Sequence, residues 1–291
     1  MEQVSLSVQN LPPLQGAYYE LWVTFYQFNT SGGGDSPEHE GEYVSIGSFS
    51  VGVDGILRRP SGGAATFLLP PDANTQLLKD IVVSVQTQPT EQPQSIVMGG
   101  AFTGDATTAR ADLYVGYCDA FGVDFSHVTG VCTIVAPTSP TDSNSGAWFV
   151  ELGATPAPGI RHLPALPSGW QYEGWVVRTR TGSDATYLST GKFLRADSAD
   201  FDGPGPFAGT AGQAFNYPGQ DFVQGTGAIP DLRNGEYSFM VTIEPANDNS
   251  QQPFFLTLLK SLQPASQQSR AVVLSNLIDV SAPRGKVVIR R

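Results

Sequence analysis

Three carboxylates crowd one stretch of the chain, Asp197-Ser198-Ala199-Asp200-Phe201-Asp202-Gly203. Oxygen ligands a few residues apart ahead of a glycine can wrap a hard cation such as calcium, so Asp197, Asp200 and Asp202 are the candidate metal ligands. The bidentate glutamate of a calcium loop does not follow, and Asp in a Gly/Pro-rich turn also serves to bond its own backbone. The same stretch lies in a long loop, about 195–231, that carries Phe201, Phe207, Phe215, Tyr217 and Phe222. Aromatics on a loop of that length either bind sugar or peptide or plug the end of a β-sheet core, and these five are the candidate binding residues. Cys118 and Cys132, with Gly122 and Gly130 between them, suit a hairpin closed by one disulfide, which a chain-entropy argument values at roughly 3 kcal/mol. Two free buried thiols are the alternative.

Other chemistry finds little support. His39, His127 and His162 show no His-x-x-x-His spacing, the cysteines no Cys-x-x-Cys, and two cysteines with His127 are too few ligands for zinc. A Gly-x-Ser-x-Gly nucleophile elbow is missing. Gly203-Pro204-Gly205-Pro206-Phe207-Ala208-Gly209 looks like a dinucleotide loop only superficially, because two prolines and no following helix remove the N–H cradle that holds pyrophosphate. No cofactor and no catalytic residue is therefore expected, and the chain reads as non-enzymatic. Asp and Glu number 27 against 16 Lys and Arg, a net charge of −11 over 291 residues, which argues against nucleic acid as a partner. The basic cluster Arg284, Lys286, Arg290 and Arg291 reads as a gatekeeping edge strand, or as a contact for something acidic. No apolar run is long enough to cross a bilayer as a helix.

The elements that must position these residues are strands. Period-2 runs of β-branched and aromatic residues recur, as in Tyr18 to Phe25, Ile81 to Val85 and Tyr237 to Ile243, and 32 Gly with 22 Pro cut the chain into short pieces. Helical periodicity is confined to a turn or two after Pro70-Pro71. Leu11-Pro12-Pro13-Leu14, then Tyr19-Glu20-Leu21-Trp22, recurs as Leu163-Pro164-Ala165-Leu166, then Tyr172-Glu173-Gly174-Trp175. Gly47-Ser48-Phe49 returns as Gly191-Lys192-Phe193, and the strand end at Gln88-Pro89 returns as Glu244-Pro245. Order preserved over several landmarks marks an internal duplication. The expected fold is all-β, a tandem pair of Ig-like β-sandwiches: copy one over 1–113, a disulfide hairpin and Pro/Ser/Thr-rich linker over 114–145, and copy two over 146–291. Trp22 and Trp175 would fill the two cores.

These landmarks resemble the C-terminal, extracytoplasmic domain of anti-sigma-K factors, here in two copies. The resemblance implies a sensory or interaction β-sandwich outside the cytoplasmic membrane, periplasmic, cell-surface or secreted. The expected partner is a protein or cell-envelope component, and a lipid anchor ahead of Met1 is one expected means of attachment. The family's sigma-binding segment and membrane helix are missing from this sequence, so a direct sigma-factor contact is not carried over. The rival expectation is a secreted carbohydrate- or peptide-active protein that uses the 195–231 loop.

Overall fold

The computed structural model describes residues 3–26, 42–105, 107–141, 144–179, 184–224, 230–268 and 270–290. His39, Arg291 and the Gly-rich stretch 31–35 lie outside the described residues. Two compact units divide the chain, one made of 1–123 together with 282–291 and the other of 124–281.

The first unit contains β1 (Gln3–Gln9), β2 (Tyr18–Phe25), β3 (Val44–Val51), β4 (Leu57–Arg58), β5 (Phe67–Leu68), β6 (Leu78–Gln86), β7 (Ser95–Ala101), β8 (Thr103–Gly104) and β9 (Thr108–Tyr114). A short 3₁₀ turn over Thr75–Leu77, capped by the Asn74 side chain, leads into β6. The second unit contains β10 (Thr129–Ile134), β11 (Gly146–Trp148), β12 (Val150–Glu151), β13 (Ala157–Pro158), β14 (Ile160–Arg161), β15 (Trp170–Arg178), β16 (Thr186–Phe193), β17 (Gly219–Asp221), β18 (Tyr237–Pro245), β19 (Leu256–Lys260) and β20 (Ala271–Asn276). A single helical turn, α1 (Ile278–Ser281), precedes β21 (Arg284–Arg290), which returns to the first unit.

Both sheets are antiparallel and curl on themselves, in the sandwich- or barrel-like all-β class that the strand periodicity predicts. Strand order in the first is β4-β3-β2-β6-β7-β9-β21-β1-β5, and in the second β16-β15-β18-β19-β20-β10-β11-β17. Laid side by side, these give one architecture used twice: β2, β3, β6, β7 and β9 match β15, β16, β18, β19 and β20, while β21 and β1 match β10 and β11. The counterpart of β1 in the second unit is interrupted, since β11 and β14 both pair with β10 and the β12–β13 hairpin stands between them.

Side-chain character explains which strands lie inside. Tyr18 to Phe25 and Tyr237 to Pro245 are buried over nearly every residue, the mark of strands covered on both faces. Thr108 to Tyr114, with alternating small apolar and polar residues, buries every second one and wets the other face. Trp22 and Trp175 are fully buried, as expected, and in each unit the tyrosine three residues earlier stacks on a phenylalanine across the sheet. Tyr19 and Phe49 have ring centroids 5.4 Å apart, Tyr172 and Phe193 5.7 Å. Tyr19 donates its hydroxyl to Pro12 O and Tyr172 to Pro164 O, which ties each Leu-Pro turn to its core. Asn10 and His162, one residue ahead of those turns, are the two non-glycine residues with positive φ among the described residues, at 56° and 57°. A shared conformation that side chains rarely adopt, at matching positions, supports duplication beyond the sequence match.

Two expectations need correction. The stretch read as a linker is packed where it is described: Thr138 is buried and its N–H and hydroxyl both donate to the buried Asp221 carboxylate, which ties residues 136–141 into the second unit. Nor does copy two run to the last residue as a unit, since Arg284 to Arg290 lie between β9 and β1, paired on both sides. The basic residues Arg284, Lys286 and Arg290 therefore belong to an interior strand of the first sheet, not to an edge.

Candidate functional site

Beneath each tryptophan lies a polar box built from matching residues. Trp22 Nε1 donates to Ser84 Oγ at 2.9 Å and Trp175 Nε1 to Thr242 Oγ1 at 2.8 Å. Ser45 donates to Glu20 at 2.5 Å, and Ser189 to Glu173 at 2.6 Å. The boxes then diverge. In the first unit Gln86 Nε2 donates to Ser84 Oγ at 3.1 Å; in the second, Glu244 stands at that place, so the strand register matches Glu244 to Gln86 and not to Gln88 as the sequence landmarks suggest, and it accepts from the Thr242 hydroxyl and, at 2.9 Å, from the Phe254 N–H. Lys192 replaces Ser48, lies 3.8 Å from Glu173 and donates to the Asp248 carbonyl.

Glu244 is wholly buried and its Oε2 has no hydrogen-bond partner. Burial pushes its pKa up to about 8, the Thr242 and Phe254 donors opposing and the Glu173 and Asp248 charges adding. Burial likewise raises Glu173, against the Ser189 hydroxyl and the Lys192 charge. The second box thus holds a carboxylic acid that is neutral near pH 7, where the first holds an amide.

Asp200 and Asp202 form a second acidic feature beside Gly191, a residue with φ of +96° on whose Cβ position the Asp202 carboxylate would lie at 2.5 Å. Asp200 is buried and accepts from Gly219 N–H at 2.8 Å, while Asp202 accepts from Gln220 Nε2 at 2.6 Å. Burial pushes Asp200 up to about 7, the Gly219 N–H pulling down and the nearby Asp202 charge adding to the rise. Asp197 is drawn away by Arg195, which grips it through Nε and Nη2 at 2.8 Å each. The three candidate calcium ligands are therefore not brought together, and among the described residues no three acidic, His or Cys side chains are grouped to hold a metal ion.

The loop aromatics divide. Phe215 meets the buried Trp148 edge-on with centroids 5.5 Å apart, Phe222 is buried, and the Tyr217 hydroxyl donates to Pro156 O at 2.9 Å. Those three anchor the loop. Phe201, 65% exposed, and Phe207, 42% exposed, face outward. The cysteines are both free: Cys118 is exposed in the first unit and Cys132 is buried in β10 of the second, so the hairpin disulfide is not formed. The chain between them crosses from one unit to the other instead of turning back as a hairpin.

One open groove of about 750 Å³ lies in the second unit, lined by Ile160, Arg161, His162, Leu163, Leu194 and Arg195 among others. β14, the left-handed His162 and the end of β16 create it, and sequence reasoning missed it. The repeat of Asn10 at His162 was its one legible trace. Arg161 is paired with Glu151 at 2.5 Å and Arg195 with Asp197, which lines the groove as well, so both arginines at this groove are already paired with an acid of the chain. No family model, no curated protein and no solved structure matches the chain.

Proposed function

We infer that this chain is a non-catalytic interaction module that works outside the cytoplasm, and that its second unit carries the contact surface. The observation behind the reading is the groove between β14 and the end of β16, with Arg161, His162 and Arg195 around Leu163 and Leu194, on a protein whose net charge is −11. Arginines beside Ile160, Leu163 and Leu194 suit an extended partner segment that carries carboxylates, which would share the guanidiniums with Glu151 and Asp197, and one or two large apolar side chains. The acids support contact rather than catalysis. Asp200 and Glu244 are buried and bonded to the protein's own backbone, whereas a working acid pair must reach its substrate. Placement outside the cytoplasm rests on the anti-sigma-K resemblance carried by residues 11–22 and 163–175.

The test is an array of acidic, Leu- or Phe-containing peptides probed with the full chain and with Arg161→Glu/Arg195→Glu. Binding to a subset that weakens at least tenfold in the variant supports the reading, and equal binding by both proteins sinks it. A glycan array run alongside addresses the alternative favoured by the outward-facing Phe201 and Phe207: binding lost in Phe201→Ser/Phe207→Ser, with peptides ignored, would make this a carbohydrate-binding module.

A further inference from the structure

The two repeats do not keep their own last strands. In chain order β10 follows β9, and β21 follows β20, yet β10 completes the sheet of β20 and β21 completes the sheet of β9. The two strands are equivalent in detail. Gly130 pairs with Leu274 and Gly285 with Leu113; a Cβ on either glycine would come within 3.2 Å or 3.3 Å of that leucine's methyl. Two residues on, Cys132 and Val287 are both fully buried, as are Ile134 and Ile289 two residues further. Thr-Gly-Val-Cys-Thr-Ile and Arg-Gly-Lys-Val-Val-Ile thus present one inward profile, and the arrangement is a reciprocal exchange of one strand between repeats.

Connections of 2–5 residues suffice to join neighbouring antiparallel strands. The connections 115–128 and 277–283 are both longer, so connection length alone does not impose the exchanged pairing. In the second connection α1 ends at Ser281, and Pro283 restricts Ala282 to extended backbone ahead of β21.

We propose that the slot between β9 and β1 is an exchangeable docking site whose alternative occupant is the Arg284–Arg290 strand of a second copy of this chain, so that copies assemble by strand exchange. β21 is paired with β9 from Arg284 to Arg290 and with β1 from Arg284 to Ile289, so the slot is a complete two-sided ladder. A strand from a second copy makes the same ladder, and only residues 277–283 change course; such a swap between identical elements costs little. Balance between the forms is set by concentration, because the intrachain strand competes at an effective concentration on the order of millimolar. This proposal does not depend on the groove.

Ser7 and Lys286 face each other across β1 and β21, both exposed. In a Cys118→Ser background, Ser7→Cys and Lys286→Cys are placed on separate full-length chains with different tags. The two are mixed at about 0.5 mM, warmed briefly to just below the unfolding midpoint, cooled and bridged with a short bis-maleimide. Expected is a product joining both tags, falling roughly tenfold in yield when the same pulse is run at tenfold lower concentration. A control mixture pairing Ser7→Cys with Thr186→Cys on β16 should give at least tenfold less. Equal yields in the two mixtures, or no joined product, overturn the proposal. Unmodified protein taken through the same pulse and diluted is followed by light scattering. A dimer that decays to monomer only on rewarming agrees with exchange, and monomer at every protein concentration overturns it.

Discussion

Glu244 carries the sharpest consequence at the scale of single residues. Its pKa in the folded protein, about 8, lies above the ordinary glutamate value of 4.5, so the folded state holds its proton more tightly than the unfolded chain. The stabilisation is complete below about pH 4.5 and is lost as pH rises through 8, and Asp200 adds the same sign up to about 7. Glu244→Gln places the first repeat's own residue, Gln86, in the second box. The variant should match the parent at pH 4 and exceed it at pH 8.5 by a few kcal/mol in order of magnitude, read from urea unfolding at the two pH values. Equal pH dependence in both proteins would count against a neutral Glu244. For the thiols, native protein treated with iodoacetamide should gain one adduct, at Cys118, and unfolded protein two, by mass spectrometry. Desolvation and the neighbouring Asp119 raise the Cys118 thiol, so the native reaction should quicken as pH increases above 8.

The matching strands carry matching devices, and their differences can be weighed pair by pair. Gly191 has both a positive φ and no room, whereas Gly169 has φ of +90° with open space around it. Gly191→Ala should therefore cost about 1–3 kcal/mol more than Gly169→Ala in equilibrium unfolding, since only the former drives a methyl into the Asp200–Asp202 pair. Thr242→Val strands the Trp175 N–H and leaves Glu244 Oε1 with the Phe254 N–H as its remaining donor, at a cost of roughly 1–3 kcal/mol. Positions where both repeats solve one packing problem with one residue, such as Tyr19 and Tyr172 or Trp22 and Trp175, were legible in the sequence. The polar boxes were not, because nothing in Tyr-Glu-Leu-Trp or Ile-Glu-Pro distinguishes a buried glutamate from a solvated one. Burial of an acid is decided by neighbouring strands that the local pattern does not name. The Asp197–Asp202 cluster misled for the opposite reason: spacing along the chain brought three carboxylates close, and one arginine two residues away took the first of them.

Across the whole molecule the duplication was readable and the partition was not. β10 and β21 share only a glycine and an isoleucine at matching positions, too little for self-comparison to find, so the seventh strand of the first repeat passed for a disulfide hairpin. The physical units differ from the sequence repeats by that one strand each, which a pair of fragments can expose. Residues 124–281 should fold alone into a β-rich, cooperatively melting unit, while 146–291, although a full repeat by sequence, lacks β10 and should remain unfolded or aggregate; circular dichroism and proton NMR distinguish the two outcomes. Should 146–291 fold as well as 124–281, its own β21 must be able to fill the β10 slot.

Because β21 follows the whole of the second unit in the chain, the order of synthesis is imposed on the order of completion. A nascent polypeptide leaving the ribosome can finish residues 124–281 while 1–123 still waits with an open seam between β9 and β1. For that interval the first unit exposes two unpaired strand edges to whatever is nearby, including neighbouring chains on the same message.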